Sequence, residues 1–224
     1  MKYSVNDIFE TIQGEATFTG TPSIFIRLQG CLVGCGFCDT KFTWEKNINN
    51  SYLNVTDLMT KPEENEIYGI IEDTAIIEAL QEKMANHIVI TGGEPCEQDL
   101  TVLTRKLLNR GYSVQIETSG TQEIKAHEDT WVTLSPKIGK SIKSGMPIRA
   151  DSLERCNELK YPIGKQQDIM NLKELINNHS ALTKKPIWLA PLSQREKATR
   201  LCIEEAIINN WKISIQTHKY ISVK

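Results

Sequence analysis

No stretch of the 224 residues stays apolar for the roughly 20 positions that a membrane-spanning helix needs, so no membrane partner is expected. Residues 1–7 lack the apolar run of a secretory signal, and a cytoplasmic location is the expectation. Charge of one sign is missing too. Lys and Arg number 26 against 28 Asp and Glu, and the formal net charge of -2 gives no support to a nucleic-acid partner. Neither internal repeats nor a composition shift divides the chain, so 1–224 reads as a single domain. Hydrophobic residues at 40% and charged residues at 24% are those of an ordinary soluble globular protein. Cysteine is scarce, with six residues, and unevenly placed: three fall in one short segment while Cys96, Cys156 and Cys202 stand alone. In a reducing compartment such a cluster points to metal or catalysis and not to a disulfide framework. The three single cysteines read as small apolar packing residues, and Trp44, Trp131, Trp188 and Trp211 as core or interface residues.

Short β-branched runs alternate with amphipathic stretches. Strands are expected at 23–28, 87–91, 113–117, 131–135, 158–161, 187–190 and 212–216, apolar enough for parallel strands covered by helices. A helix opening at Asp73 or Thr74 should bury Ile76, Ile77, Leu80 and Met84. Another should bury Leu100, Leu103, Leu107 and Leu108 and stop at Gly111. Ser193 and Glu196 have the form of a capping box, opening a helix that buries Ala198, Leu201 and Ile208. Seven strands and about four helices fall short of a full eight-fold barrel. The expected fold is therefore α/β, a partial (incomplete) β/α barrel of mostly parallel strands, with residues 42–72 as a surface insertion.

The chemistry concentrates in Cys31-Leu32-Val33-Gly34-Cys35-Gly36-Phe37-Cys38, directly after a strand. Three thiolates at this spacing, with Gly30, Gly34 and Gly36 freeing the backbone, can wrap a cubane iron–sulfur cluster and leave one iron open. Zinc would want a fourth ligand, and the nearest later candidates are His87 and Cys96. A redox dithiol would need only two cysteines. Further along, Thr91-Gly92-Gly93-Glu94-Pro95 ends a strand, where glycine lets the backbone approach a ligand closely; on its own the segment could equally be a plain strand-to-helix turn.

The cysteine spacing, the aromatic residue before Cys38 and the Gly-Gly-Glu-Pro segment together resemble the radical S-adenosylmethionine (SAM) superfamily. Within it, the flanking residues resemble the 7-carboxy-7-deazaguanine synthase family. These are Glu10-Thr11-Ile12-Gln13-Gly14-Glu15, the run Pro22 through Arg27 to Cys31, Cys38-Asp39-Thr40, Ile116-Glu117-Thr118-Ser119-Gly120-Thr121, Ser135-Pro136-Lys137 and Gln216-Thr217-His218-Lys219-Tyr220. The likeness runs through essentially the whole chain. Ala16 stands where many members have glycine, and Leu32 where proline is common.

The resemblance implies ring contraction of 6-carboxy-5,6,7,8-tetrahydropterin to 7-carboxy-7-deazaguanine with release of ammonia, in queuosine and related 7-deazapurine biosynthesis. It implies a [4Fe–4S] cluster on Cys31, Cys35 and Cys38, SAM as cofactor, Mg2+ at Thr40, an electron donor such as a flavodoxin, and a homodimer. SAM would meet Phe37, Cys38, Asp39, Gly93, Glu94, Ser135, Pro136 and Lys137. The substrate would meet Ile12, Gln13, Gly14, Glu15, Arg27, Thr91, Glu117, Gln216 and His218. Plainer readings stand beside several of these: core packing for Phe37, a turn or cap for Thr40, an internal ion pair for Arg27, a capping or surface carboxylate for Glu117, and a surface histidine for His218. Two rivals are an activase that acts on a partner protein and a non-catalytic iron–sulfur or zinc module.

Overall fold

The structure is a computed structural model, and it describes residues 1–139 and 144–223. Nine strands form one sheet: β1 (Lys2–Ile12), β2 (Pro22–Leu28), β3 (Gly69–Glu72), β4 (His87–Gly92), β5 (Ser113–Thr118), β6 (Trp131–Leu134), β7 (Glu158–Ile163), β8 (Ile187–Pro191) and β9 (Lys212–Ile213). Their spatial order is β3-β1-β2-β4-β5-β6-β7-β8-β9. From β2 to β9 every pairing is parallel, while β1 runs antiparallel to both β2 and β3. Helices α1 (Val55–Met59), α2 (Asp73–Leu80), α3 (Thr101–Asn109), α4 (Ala150–Arg155), α5 (Gln166–Asn178) and α6 (Glu196–Asn209) complete the fold. The sheet is open and mostly parallel, in agreement with the expected partial barrel.

Two-residue alternation along the strands separates the faces. Ile24, Ile26, Leu28, Ile88, Ile90, Val114 and Ile116 form one apolar core with Ile76, Ile77 and Leu80 of α2 and Leu103 and Leu107 of α3. A second core joins Val132, Leu134, Leu159, Tyr161 and Leu189 to Ile169 and Leu172 of α5 and to Cys202 and Ala206 of α6. Arg27, His87, Gln115, Glu117, Thr133, Glu158 and Lys160 occupy the alternate positions of β2 and β4 to β7. Apart from Val89 of β4, which is fully buried there, the second face of these strands is mainly a buried polar surface.

Several expectations need correction. β1 and β3 were absent from the strands expected on sequence. β1 carries Asn6, Asp7 and Glu10 among its apolar residues, which obscures the pattern. Residues 42–72 are more than a surface insertion: Leu58 and Tyr68 are buried and β3 extends the sheet beside β1. Met84 is 88% exposed because α2 ends four residues before it. Ile208 is 72% exposed, while Cys202 and Ala206 take the inward positions of α6. No capping box forms at Ser193. That residue has φ +53, and Arg195 precedes the helix without a side-chain cap. The last strand stops at Ile213, short of Gln216.

The hairpin loop after β1 packs across the polar face. Phe18 lies 4.2 Å from the ring of His87 and edge-on to Trp131 at 5.3 Å, the first residues of β4 and β6. Thr17 donates to Glu158, the first residue of β7, and Glu158 also accepts from Thr133 and from the Trp131 indole. These contacts close the amino-terminal ends of the central strands. The same loop meets the carboxyl-terminal segment: Ala16 N–H donates to Ser214 Oγ and Thr217 N–H to the Gly14 carbonyl. Ala16 has φ +55, a left-handed backbone that glycine would adopt more easily than alanine.

Candidate active site

The carboxyl-terminal ends of the parallel strands open into a cavity of about 580 Å³, within the range of small-molecule sites. Carboxyl ends are where an open α/β sheet gathers ligands, because the loops that follow each strand converge there. Cys31, Cys35 and Cys38 all line the cavity. Gly30 (φ +110) and Gly34 (φ +65) allow the loop to fold back on itself in conformations that L side chains avoid. Burial pushes the Cys31 thiol up to about 11 and raises Cys35 as well. Cluster ligation would therefore displace protons as it forms. The all-thiol donor set and the glycine cradle fit an iron–sulfur cluster.

The Gly-Gly-Glu-Pro segment lies against this loop. Gly93 N–H donates to Leu28 O and Glu94 N–H to Gly30 O. A Cβ on Gly93 would stand 2.0 Å from Gly30 O, so only glycine permits the approach. The Glu94 carboxylate is buried and turned away from solvent. Its Oε1 accepts from Thr118 Oγ1 and Cys96 N–H, and its Oε2 from the N–H and hydroxyl of Ser119. Thr40 sits beside Cys38, with Oγ1 3.5 Å from Cys38 Sγ and 3.4 Å from Gly92 O, and it does not cap the turn that follows it. Its hydroxyl and the neighbouring carbonyl are the hard oxygen donors that Mg2+ prefers.

On the other side of the cavity lies a closed ring of hydrogen bonds. Gln13 Nε2 donates to Glu117 Oε1, Lys160 Nζ donates to Glu117 Oε2 and Glu15 Oε2 at 2.7 Å each, and Glu15 N–H returns to Gln13 Oε1. Burial opposes the charge on Lys160, but the attraction of Glu117 and Glu15 outweighs it and raises its pKa. Burial likewise opposes the charge on Glu15, yet Lys160, His218 and Lys137 together hold its pKa below the usual carboxylate value. Lys137, which donates to Ser135 Oγ, is lowered by burial against the pull of Cys35. His218 is also lowered by burial, and its ring packs on Gly14, where a Cβ would lie 2.3 Å from Nδ1.

Of the residues expected on sequence, the cavity wall holds Glu15, the three cysteines, Phe37, Asp39, Thr91, Gly93, Glu94, Glu117, Ser135, Lys137 and Gln216. Gln13 joins through its ring partners. Ile12, Gly14, Pro136, Thr40 and His218 are not among the lining residues. Arg27 is buried between the Phe9 and Phe42 rings, with its guanidinium carbon 5.3 and 5.6 Å from their centroids and Glu64 at 3.4 Å. Lys160 and the turn of Ser193 and Gln194, two successive left-handed residues, also line the cavity; none of them was expected there on sequence, and Ser193 was read only as a helix cap. A lysine inside the apolar run of β7 was the available signal for the first, the same signal that marked Arg27 in β2. Nothing in the sequence marks the second.

A thiol-lined cavity at the carboxyl ends of a partial parallel barrel, with a glycine-rich strand end pressed against the cysteine loop, defines the radical SAM class. Comparison with known proteins narrows the class. The chain is 46% identical over 225 residues to the 7-carboxy-7-deazaguanine synthase of Escherichia coli K12, covering all of both chains. The enzyme of that name from Buchnera aphidicola is 44% identical over 227 residues, again with both chains fully covered. The one from Rickettsia prowazekii is 33% identical over 229 residues, spanning all of this chain and 89% of its own. The crystal structure of QueE from Escherichia coli superposes with a TM-score of 0.90 at 45% identity, covering 96% of this chain and 94% of that one. The chain matches no protein-family model. It belongs to the 7-carboxy-7-deazaguanine synthase family.

Proposed function

We propose that this protein contracts the ring of 6-carboxy-5,6,7,8-tetrahydropterin to 7-carboxy-7-deazaguanine with release of ammonia, a step of 7-deazapurine (queuosine) biosynthesis. The observation that carries the reading is one cavity with three thiols on one side and a charged, acceptor-rich ring on the other. Full-length similarity to enzymes of that name supports the choice of substrate. Cys31, Cys35 and Cys38 would hold a [4Fe–4S] cluster, and Thr40 would offer its hydroxyl to Mg2+. SAM would lie against Phe37, Asp39, Gly93, Glu94 and the Ser135–Pro136–Lys137 corner. Once bound, the cluster and SAM supply one-electron chemistry able to break an unactivated C–H bond.

The protein's own residues bind, orient and exclude water. Glu15 and Glu117 present carboxylate oxygens to N–H groups of the pterin's pyrimidinone edge, and Gln13, whose two amide hydrogens go to Gln115 and Glu117, holds that edge in place. Arg27 is a guanidinium already desolvated between two rings; released from the half-exposed Glu64, it would clamp the substrate carboxylate in a bidentate pair. Thr91 and Gln216 complete the substrate wall, and Ile12, Gly14 and His218 belong to the same substrate reading from outside the lining. An electron donor such as a flavodoxin, a homodimeric assembly and a cytoplasmic location belong to the same reading.

The test is product formation by anaerobically reconstituted protein given SAM, a reductant, Mg2+ and the pterin, read by mass spectrometry. A 7-carboxy-7-deazaguanine peak that disappears in Cys35→Ala supports both cluster and substrate. Cleavage of SAM without that product would leave the class standing and remove the pterin assignment.

A further inference from the structure

Lys160 is the cation that the sequence did not point to, and its surroundings say what it does. It projects from β7 with 6% of its surface exposed and contacts two carboxylates from separate parts of the chain, Glu15 of the hairpin loop and Glu117 of β5. Among the described residues it is the one cation within ion-pair distance of either carboxylate. Lys137 and His218 also face Glu15, and Lys137 faces Glu117, but without such contact. Burial disfavours the charged form of both Lys137 and His218.

We propose that Lys160 is a positioning residue: its ammonium bridges the carboxylates of Glu15 and Glu117 and locks them in place, so that their remaining lone pairs form an acceptor-only edge for the N–H donors of a bound heterocycle. The proposal deepens the pterin reading and rests on it for the identity of the ligand. Two carboxylates tied into one buried ring, with no cation between them, would share a proton. A shared proton turns an acceptor into a donor. The edge would then meet N–H groups with O–H, and a heterocycle that carries donors there would be rejected. Two of the three Lys160 N–H bonds are spent on the carboxylates, which sets their positions relative to each other as well as their charge.

The experiment uses Lys160→Met and Lys160→Arg in the full-length, cluster-loaded protein. Infrared spectra read carboxyl ionisation directly, and steady-state kinetics with the tetrahydropterin are run between about pH 6 and 9. In K160M a protonated-carboxyl band should appear near neutral pH and vanish when Glu117→Gln is added. Its KM should rise at least about tenfold, the scale of one lost charge-assisted hydrogen bond, with a smaller fall in kcat. That KM should drop as pH rises and the shared proton leaves, while the wild-type KM stays flat. K160R, which keeps the charge, should show no such band and recover most of the KM. Should K160M fail to fold, Lys160→Gln carries the same readings. Wild-type KM and pH profile in a folded K160M, with no new band, would overturn the proposal. The band without pterin turnover by wild type would retain the role of Lys160 and remove the substrate assignment.

Discussion

Replacing Glu94 by glutamine tests the geometry of the strand end more sharply than truncation, because it preserves shape and changes only charge and hydrogen-bond polarity. Each carboxylate oxygen of Glu94 accepts one backbone N–H, Cys96 on Oε1 and Ser119 on Oε2, and one hydroxyl, Thr118 on Oε1 and Ser119 on Oε2. A hydroxyl can rotate and accept from an amide NH2. A backbone N–H cannot. Whichever way the glutamine lies, one buried N–H faces another donor and loses its partner. That costs roughly 1–3 kcal/mol, and the weaker neutral bonds elsewhere bring the total to about 2–4 kcal/mol. For a domain of this size, a loss of about 3 kcal/mol lowers Tm by roughly 6–12 °C. Anaerobic thermal denaturation followed by circular dichroism reads the change. The SAM affinity of E94Q should fall as well, because the turn that carries Gly93 is held by these bonds. An E94Q protein that melts within about 1 °C of wild type would refute the claim that Glu94 ties the β4 turn to the end of β5.

Further predictions follow from other contacts. Gly93→Ala places a Cβ 2.0 Å from Gly30 O and should weaken SAM binding by at least about tenfold, measurable by equilibrium binding, with iron content as the control for the cysteine loop. Burial lowers the pKa of His87, so the unfolded chain binds a proton that the folded protein resists. Stability should therefore be full above the unfolded value of about 6.5 and decline as pH falls below it, by at most about 1.4 kcal/mol per pH unit from this group. Urea denaturation from pH 7 to about pH 5 would show that slope, and His87→Gln should flatten it. Arg27→Lys keeps a positive charge but loses the planar stack on Phe9 and Phe42; it should raise the pterin KM by about tenfold or more, whereas Glu64→Gln, at a half-exposed partner, should change stability by less than about 0.5 kcal/mol.

Much of the parallel core was legible because β2 and β4 to β8 each carry a short apolar run, and the helices after β4, β7 and β8 bury one apolar stripe each. The helix limits were less legible. Met84 and Ile208 have the right spacing to be buried, but whether a helix extends that far, or which stripe it turns inward, depends on the sheet beneath it. β1 and β3 were hidden for a related reason: the antiparallel part of the sheet holds buried polar residues such as Asn6 of β1, whose amide binds Gln29 and the Asn65 carbonyl across the fold.

In the site, the cysteine spacing and the two glycines before Glu94 were readable from local chemistry, since thiols close in sequence are close in space and a strand-end glycine has few other uses. Sequence alone therefore determined the donor set, the class and, through full-length resemblance, the family. Only the tertiary structure decided how the charges combine. It turned Glu94 inward to hold two strand ends together, placed Arg27 between two aromatic rings, and brought Glu15, Glu117 and Lys160 from positions more than 140 residues apart in the chain into one ring. Such contacts have no local signature, because a buried charge is tolerable only where the fold delivers its partner.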